Sequence, residues 1–127
     1  MHQISVKIYY EDTDAGGVVY YGNYLRYLER ARTEFLLDHG ISVAEFHHKG
    51  LFFAVTHVEI SYKKPARLGD IINITTEIAE MKNASAVLKN LILRNDTLLA
   101  EAYVTFACIG KEGKPGRLPG ELRALGL

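Results

Sequence analysis

The chain has no tryptophan, one cysteine and only three prolines in 127 residues. A lone Cys108 rules out an internal disulfide and fits a reducing, cytoplasmic setting. Neither sign of charge is in excess, since fifteen Lys and Arg balance fifteen Asp and Glu. The balance leaves no bulk field to draw in nucleic acid or an anionic membrane. No apolar run approaches the ~20 residues that cross a bilayer, so no membrane span is expected. The five histidines are scattered, and the adjacent His47 and His48 suit no metal pair. No metal and no cofactor are expected. Repeats, linkers and low-complexity segments are also missing. What is present is 48% apolar residues, ordinary for a globular domain and enough for a core at this length. One domain over residues 1–127 is expected, with 110–127 as a tail.

Hydrophobic periodicity orders the chain. Ile4, Val6, Ile8 and Tyr10 alternate with polar neighbours, which predicts a half-buried strand rather than a leader, ending at Tyr10. From Tyr24 the period becomes helical, through Tyr27, Leu28, Ala31, Phe35 and Asp38. Asn23 is the expected N-cap and Gly40 the expected C′ residue, enclosing a helix about 24 Å long. A short helix is expected over Val43 to His48. Strands follow at Phe52 to Tyr62, Ile71 to Met81, Val87 to Asn95 and Leu98 to Cys108, with turn residues between the last three. Pro119 to Leu125 is expected to dock as a helical turn. The fold class is α+β: a five-stranded antiparallel sheet against one long helix. One helix cannot cover both faces and every edge, so at least a homodimer is expected.

The chemistry concentrates between Tyr10 and Tyr24, in YEDTDAGGVVYYGNY. The segment presents two carboxylates, passes Gly16 and Gly17, and enters a helix. A helix entrance has unpaired amides and partial positive charge, which can polarise a carbonyl. Glycine lets ligand atoms approach the backbone closely. A carboxylate beside such an entrance can attack a polarised acyl carbon or deprotonate a water that attacks it. Helix capping or an Asx-turn is the commoner use of an aspartate here. Asp12 and Asp14 share a parity, and spacing does not choose between them.

The run from Tyr10 to Leu36, with its D-x-D-x-x-G-x-V-Y-Y-x-x-Y pattern, resembles the signature of hotdog-fold acyl-CoA thioesterases. It is most similar to the YbgC type and more distantly to 4-hydroxybenzoyl-CoA thioesterase. YKKPARLGD, Tyr62 to Asp70, extends the resemblance. It implies a curled antiparallel sheet around one long helix, dimerised into a longer sheet and often paired again into a homotetramer. It implies hydrolysis of acyl-CoA, or of acyl carrier protein thioesters, with coenzyme A entering as part of the substrate. It makes Asp14 the catalytic carboxylate and the Tyr21 amide the carbonyl donor. YbgC-type sequences usually carry His where this chain has Tyr21, and a phenol has a much higher pKa than an imidazole. Basic loops around Lys63, Arg67, Lys82 and Ser85 are implied to touch the nucleotide phosphates. Tyr10, Gly17, Tyr20 and Tyr24 complete the expected substrate site, with Tyr10 orienting the acyl group.

Several residues carry plainer readings. Glu29 and Arg32 are three apart on the helix and are expected to pair. Solvated surface is the ordinary fate of the lysines and arginines. His57 reads as a satisfied core residue and Cys108 as a small buried hydrophobe. Two other functions compete with hydrolysis. A hotdog dehydratase wants a histidine base, and none lies in the loop-to-helix segment. A non-catalytic thioester sensor or envelope scaffold would not need Asp14 beside a Gly-Gly helix entrance.

Overall fold

The computed structural model describes residues 2–126. The elements run β1 (His2–Lys7), α1 (Asn23–Asp38), α2 (Val43–His48), β2 (Phe52–Tyr62), β3 (Ile71–Met81), β4 (Ser85–Arg94), β5 (Thr97–Ile109), β6 (Pro115–Gly116) and α3 (Gly120–Arg123). Five long strands and the two-residue β6 form one antiparallel sheet in the order β1-β3-β4-β5-β2, with β6 on β5. The short turns at 82–84 and 95–96 leave no room for a crossover, so β3, β4 and β5 are successive hairpin neighbours. Asn95 takes φ 53° in the two-residue turn, where a short polar side chain tolerates the left-handed region.

The helical stripe is the buried one. Tyr24, Tyr27, Leu28, Ala31, Phe35 and Leu36 of α1 lie under the sheet. Tyr24, Tyr27, Leu28 and Ala31 meet Ile72 and Ile74 of β3, Ile92 of β4 and Ala102 and Val104 of β5. Both β2 and β3 slip register by one residue, between Val55 and His57 and between Ile78 and Glu80, and such bulges bend a sheet. At its C-terminus α1 ends on Gly40, φ 79°. Gly40 N–H donates to Leu37 O and Ile41 N–H to Leu36 O, which pairs the last carbonyls. The tail closes a second cluster: Leu118 and Leu122 are buried with Phe35, Leu36 and Phe106. Cys108 is buried among them, and burial pushes its thiol pKa up.

Three details depart from expectation. β1 stops at Lys7, because the chain turns into a 3₁₀ segment at Tyr10–Asp12, so Tyr10 does not end a strand. β4 begins two residues earlier than its apolar run, at Ser85, and β5 extends to Ile109. His57 is exposed on β2, 3.1 Å from Glu59, and is not a core residue.

Candidate active site

The connection from β1 to α1 is a small hairpin. Asp12 Oδ2 accepts the Tyr9 amide at 2.8 Å, which spends that carboxylate on capping the 3₁₀ turn. Thr13 and Val19 pair antiparallel, flanked by Asp14 N–H to Val18 O (2.9 Å) and Tyr20 N–H to Asp12 O (3.1 Å). Gly17, at φ 76°, closes the tip. Asp14 stands at that tip, exposed. Its Oδ1 accepts the Gly16 amide at 2.9 Å, and Oδ2 has no partner among the described residues. The hairpin is clamped from the side: Val19 N–H donates to Ala66 O (2.8 Å) and Leu68 N–H to Gly17 O (3.1 Å).

Six residues later comes the helix entrance. Asn23, Tyr24 and Leu25 spend their amides on Tyr20, Tyr21 and Gly22 carbonyls in a tight turn. The amides of Tyr21 and Gly22 have no hydrogen-bond partner among the described residues. Asn23 is not the N-cap. Gly22 occupies that position with helical angles, and the Asn23 carboxamide instead donates to Asp12 O at 2.8 Å. A Cβ on Gly22 would lie 2.7 Å from the exposed Tyr20 ring, so any larger residue here would have to displace that ring. The exposed rings of Tyr20 and Tyr21 pack on each other, centroids 4.8 Å apart.

Two concavities flank the entrance. One of about 270 Å³ is lined by Val19, Tyr21, Tyr24, Tyr62, Lys63 and Pro65. The other, about 310 Å³, is a cleft between α1 and β2, lined by the apolar Leu25, Leu28, Val55 and Val58 and by the charged Glu29 and Arg32. A larger cavity of about 580 Å³ opens on the other flank of α1, between it and β1. Its lining includes neither Asp14 nor Tyr21, nor does that of the α1–β2 cleft; of these three only the 270 Å³ concavity includes Tyr21, so volume alone does not locate the chemistry.

The expected site residues divide by position. Asp14, Gly17, Tyr20 and Tyr21 share the hairpin and entrance. Tyr24 is buried, and its hydroxyl accepts the Ala66 amide at 3.1 Å, so it fastens α1 to the β2–β3 connection. Lys63 lines the cavity beside Tyr21, and Arg67 is exposed on the same connection. Tyr10 is 82% exposed in the 3₁₀ turn. Lys82 and Ser85 sit at the β3–β4 turn, the far end of an eleven-residue strand from Asp70, and Lys82 Nζ is 3.5 Å from Glu80. One chain does not bring them to Tyr21. Glu29 and Arg32 are not ion-paired among the described residues. Burial of Arg32 pushes its pKa down, and Glu29 opposes that shift.

Two neighbours of the candidate site escape the pattern of the sequence. Tyr62 Oη donates to Tyr21 O at 3.3 Å, and its pKa is raised by burial first and then by Tyr24 and Tyr21. Arg94 Nη1 bonds Asp70 Oδ2 at 2.7 Å and Pro65 O at 3.2 Å. Burial of Asp70 opposes its ionisation, but Arg94 and the Arg67 amide outweigh it and hold the carboxyl below its ordinary value. Tyr62 reads as one more strand aromatic, and nothing local connects Asp70 to a residue 24 positions later.

Among the described residues no three His, Cys, Asp or Glu are grouped to hold a metal ion, and no helix is long and apolar enough to cross a membrane. Residues 9–125 match the model of the thioesterase-like superfamily. The acyl-CoA thioester hydrolase YbgC of Escherichia coli O6:H1 is 42% identical over 121 residues, covering 94% of this chain and 90% of that one. The acyl-CoA thioesterase YbgC of Haemophilus influenzae is 40% identical over 122 residues, 94% and 89% of the two chains. A probable thioesterase from Bartonella henselae superposes with TM-score 0.89 at 38% identity, covering 93% and 98%. An antiparallel sheet curled over α1, a D-x-D hairpin at its entrance and this extent of identity assign the chain to the hotdog-fold thioesterase-like superfamily, within the YbgC-type acyl-CoA thioester hydrolases.

Proposed function

We propose that the chain hydrolyses acyl-CoA thioesters to free acid and coenzyme A, in the cytoplasm, as a homodimer or a pair of dimers. The observation that carries this is a carboxylate with one unbonded oxygen, Asp14, on a hairpin that runs directly into a helix entrance with unbonded amides at Tyr21 and Gly22. The substrate carbonyl accepts the Tyr21 N–H, which makes its carbon electrophilic. Asp14 then follows one of two balanced routes. It adds to the carbon, expels the thiolate and leaves an anhydride that water opens. Alternatively it takes a proton from a water, the hydroxide adds, the thiolate leaves, and the proton follows the sulfur.

The acyl group lies in the cleft between α1 and β2, Tyr24 lines the neighbouring concavity beside Tyr21, and the exposed Tyr20 ring packs on that of Tyr21. Lys63 and Arg67 reach the phosphates. Lys82 and Ser85 reach them only from a neighbouring copy, since in one chain they lie at the opposite sheet end. The open edge of β2, with Val55 44% exposed, is where that copy pairs, extending the sheet and roofing the cleft. Acyl carrier protein thioesters offer the same reacting bond and fall under the same proposal. No cofactor takes part, and coenzyme A is a portion of the substrate.

The test is thiol release from a panel of aliphatic and aromatic acyl-CoAs, with carrier-protein thioesters alongside. Release supports the proposal. Loss of water from a 3-hydroxyacyl thioester without thiol release identifies a dehydratase, and binding without turnover identifies a sensor.

A further inference from the structure

We infer that Tyr62 is a positioning residue for the thioester reaction, holding the Tyr21–Gly22 peptide from the sheet side so that the Gly22 amide, the second unbonded donor of the helix entrance, keeps one direction. The inference rests on the hydrolase reading and on the geometry around one carbonyl. Tyr21 O accepts two bonds, from Tyr24 N at 3.3 Å and from Tyr62 Oη at 3.3 Å. The first belongs to the end of a helix, where turns fray. The second is anchored in the sheet. Tyr62 is the last residue of β2, pairs with Ala100 of β5, and is followed by the Lys63 amide bonding Leu99 O at 2.8 Å.

The Tyr62 ring is held as well. It packs edge-on against Tyr24 with centroids 5.2 Å apart, and the Tyr24 hydroxyl accepts the Ala66 amide. Strand end, ring pair and loop amide thus converge beneath Tyr21. Among the described residues nothing comparable holds Tyr21 from above: its own ring is 65% exposed and packs on the half-exposed Tyr20. Donation to a carbonyl also draws density from its peptide and strengthens the next amide, that of Gly22, as a donor. A phenol of ordinary pKa, about 10, is protonated and so a donor through the neutral range, and burial raises that of Tyr62 further.

A positioning role differs measurably from a substrate contact and from proton transfer. Tyr62→Phe keeps the ring and removes only the hydroxyl, at a residue 48% exposed, so the fold tolerates it. Turnover and KM are measured across pH for wild type and Y62F, together with the amide proton shifts of Tyr21 and Gly22 by NMR. The expected result is a kcat about fivefold lower, the worth of one neutral hydrogen bond, with KM within twofold. The shape of the pH profile stays the same and the Gly22 amide signal moves. Tyr62→Leu, which also strips the ring, falls further in kcat, and Tyr62→Phe recovers part of that loss. An unchanged kcat with unmoved amide signals overturns the inference. So does a rise in KM alone, or a lost basic limb of the pH profile, which would make Tyr62 a substrate contact or an acid. If wild type releases no thiol from any acyl-CoA, the hydrolase reading fails first and takes this inference with it.

Discussion

The carboxamide of Asn23 donates across 2.8 Å to the backbone carbonyl of Asp12, eleven residues earlier. The first residue of α1 is therefore a strut between the helix entrance and the base of the Asp14 hairpin. The bond requires a donor, which separates it from a capping role, where an acceptor is needed. Asn23→Asp would serve a cap equally well or better, with a negative charge at the positive helix end. Here it places a carboxylate against a carbonyl. We expect N23D to lower stability by about 1–2 kcal/mol, read by urea unfolding, and to lower kcat as the hairpin loosens. A stabilised N23D would mean that the side chain caps the helix after all.

Asp70, Arg94 and the Arg67 amide tie the β2–β3 connection to the sheet, and with it Lys63 and Ala66. The Asp70 carboxyl is held below its ordinary value of about 3.9. A folded pKa below the unfolded one gives stability that is complete above the unfolded value and drains away as pH falls through the folded value. Wild-type stability should thus decline as pH drops below about 4. Asp70→Asn should be less stable at pH 7 by about 1–3 kcal/mol and show a flatter acid limb in pH-dependent unfolding. Parallel acid limbs for the two proteins would remove Asp70 from the account.

Val55 is apolar and 44% exposed on the open edge strand β2, where it lines the cleft against Leu25 and Leu28. Paired with a second copy, it would be buried, and a carboxylate there would be costly. Val55→Asp is expected to shift light-scattering mass toward the monomer and to cut thioesterase activity at least tenfold at low protein concentration. A V55D protein with unaltered mass and activity would place the copies on another face.

Much of this was legible in the sequence, for a physical reason. Ile72, Ile74 and Thr76 alternate because one face of β3 is buried, and the stripe from Tyr24 to Phe35 is the buried side of α1. These are local periodicities. Strand order is not local: β1 joins β3 and β2 joins β5 across distances that no turn residue marks. The alternation at Tyr10 misled because a 3₁₀ turn keeps no period of two. The site divides the same way. The D-x-D hairpin and glycines stand in one segment, whereas Tyr62 and Asp70–Arg94 reach it only through the fold. Asn23 sits where a cap belongs, but its partner lies across the hairpin and not in its own helix.

The central claim is that the Asp14 carboxylate acts on a carbonyl aimed at the entrance of α1. The most direct measurement is single-turnover hydrolysis of an acyl-CoA by wild type and Asp14→Asn, with acyl-CoA affinity taken from the same titration. Asp14→Asn keeps the shape and the oxygen that faces the Gly16 amide while removing the charge. The expected result is a rate at least about 100-fold lower, the usual scale for removing a positioned base or nucleophile, with affinity and melting temperature near wild type. An Asp14→Asn protein that releases thiol at close to the wild-type rate would contradict the account.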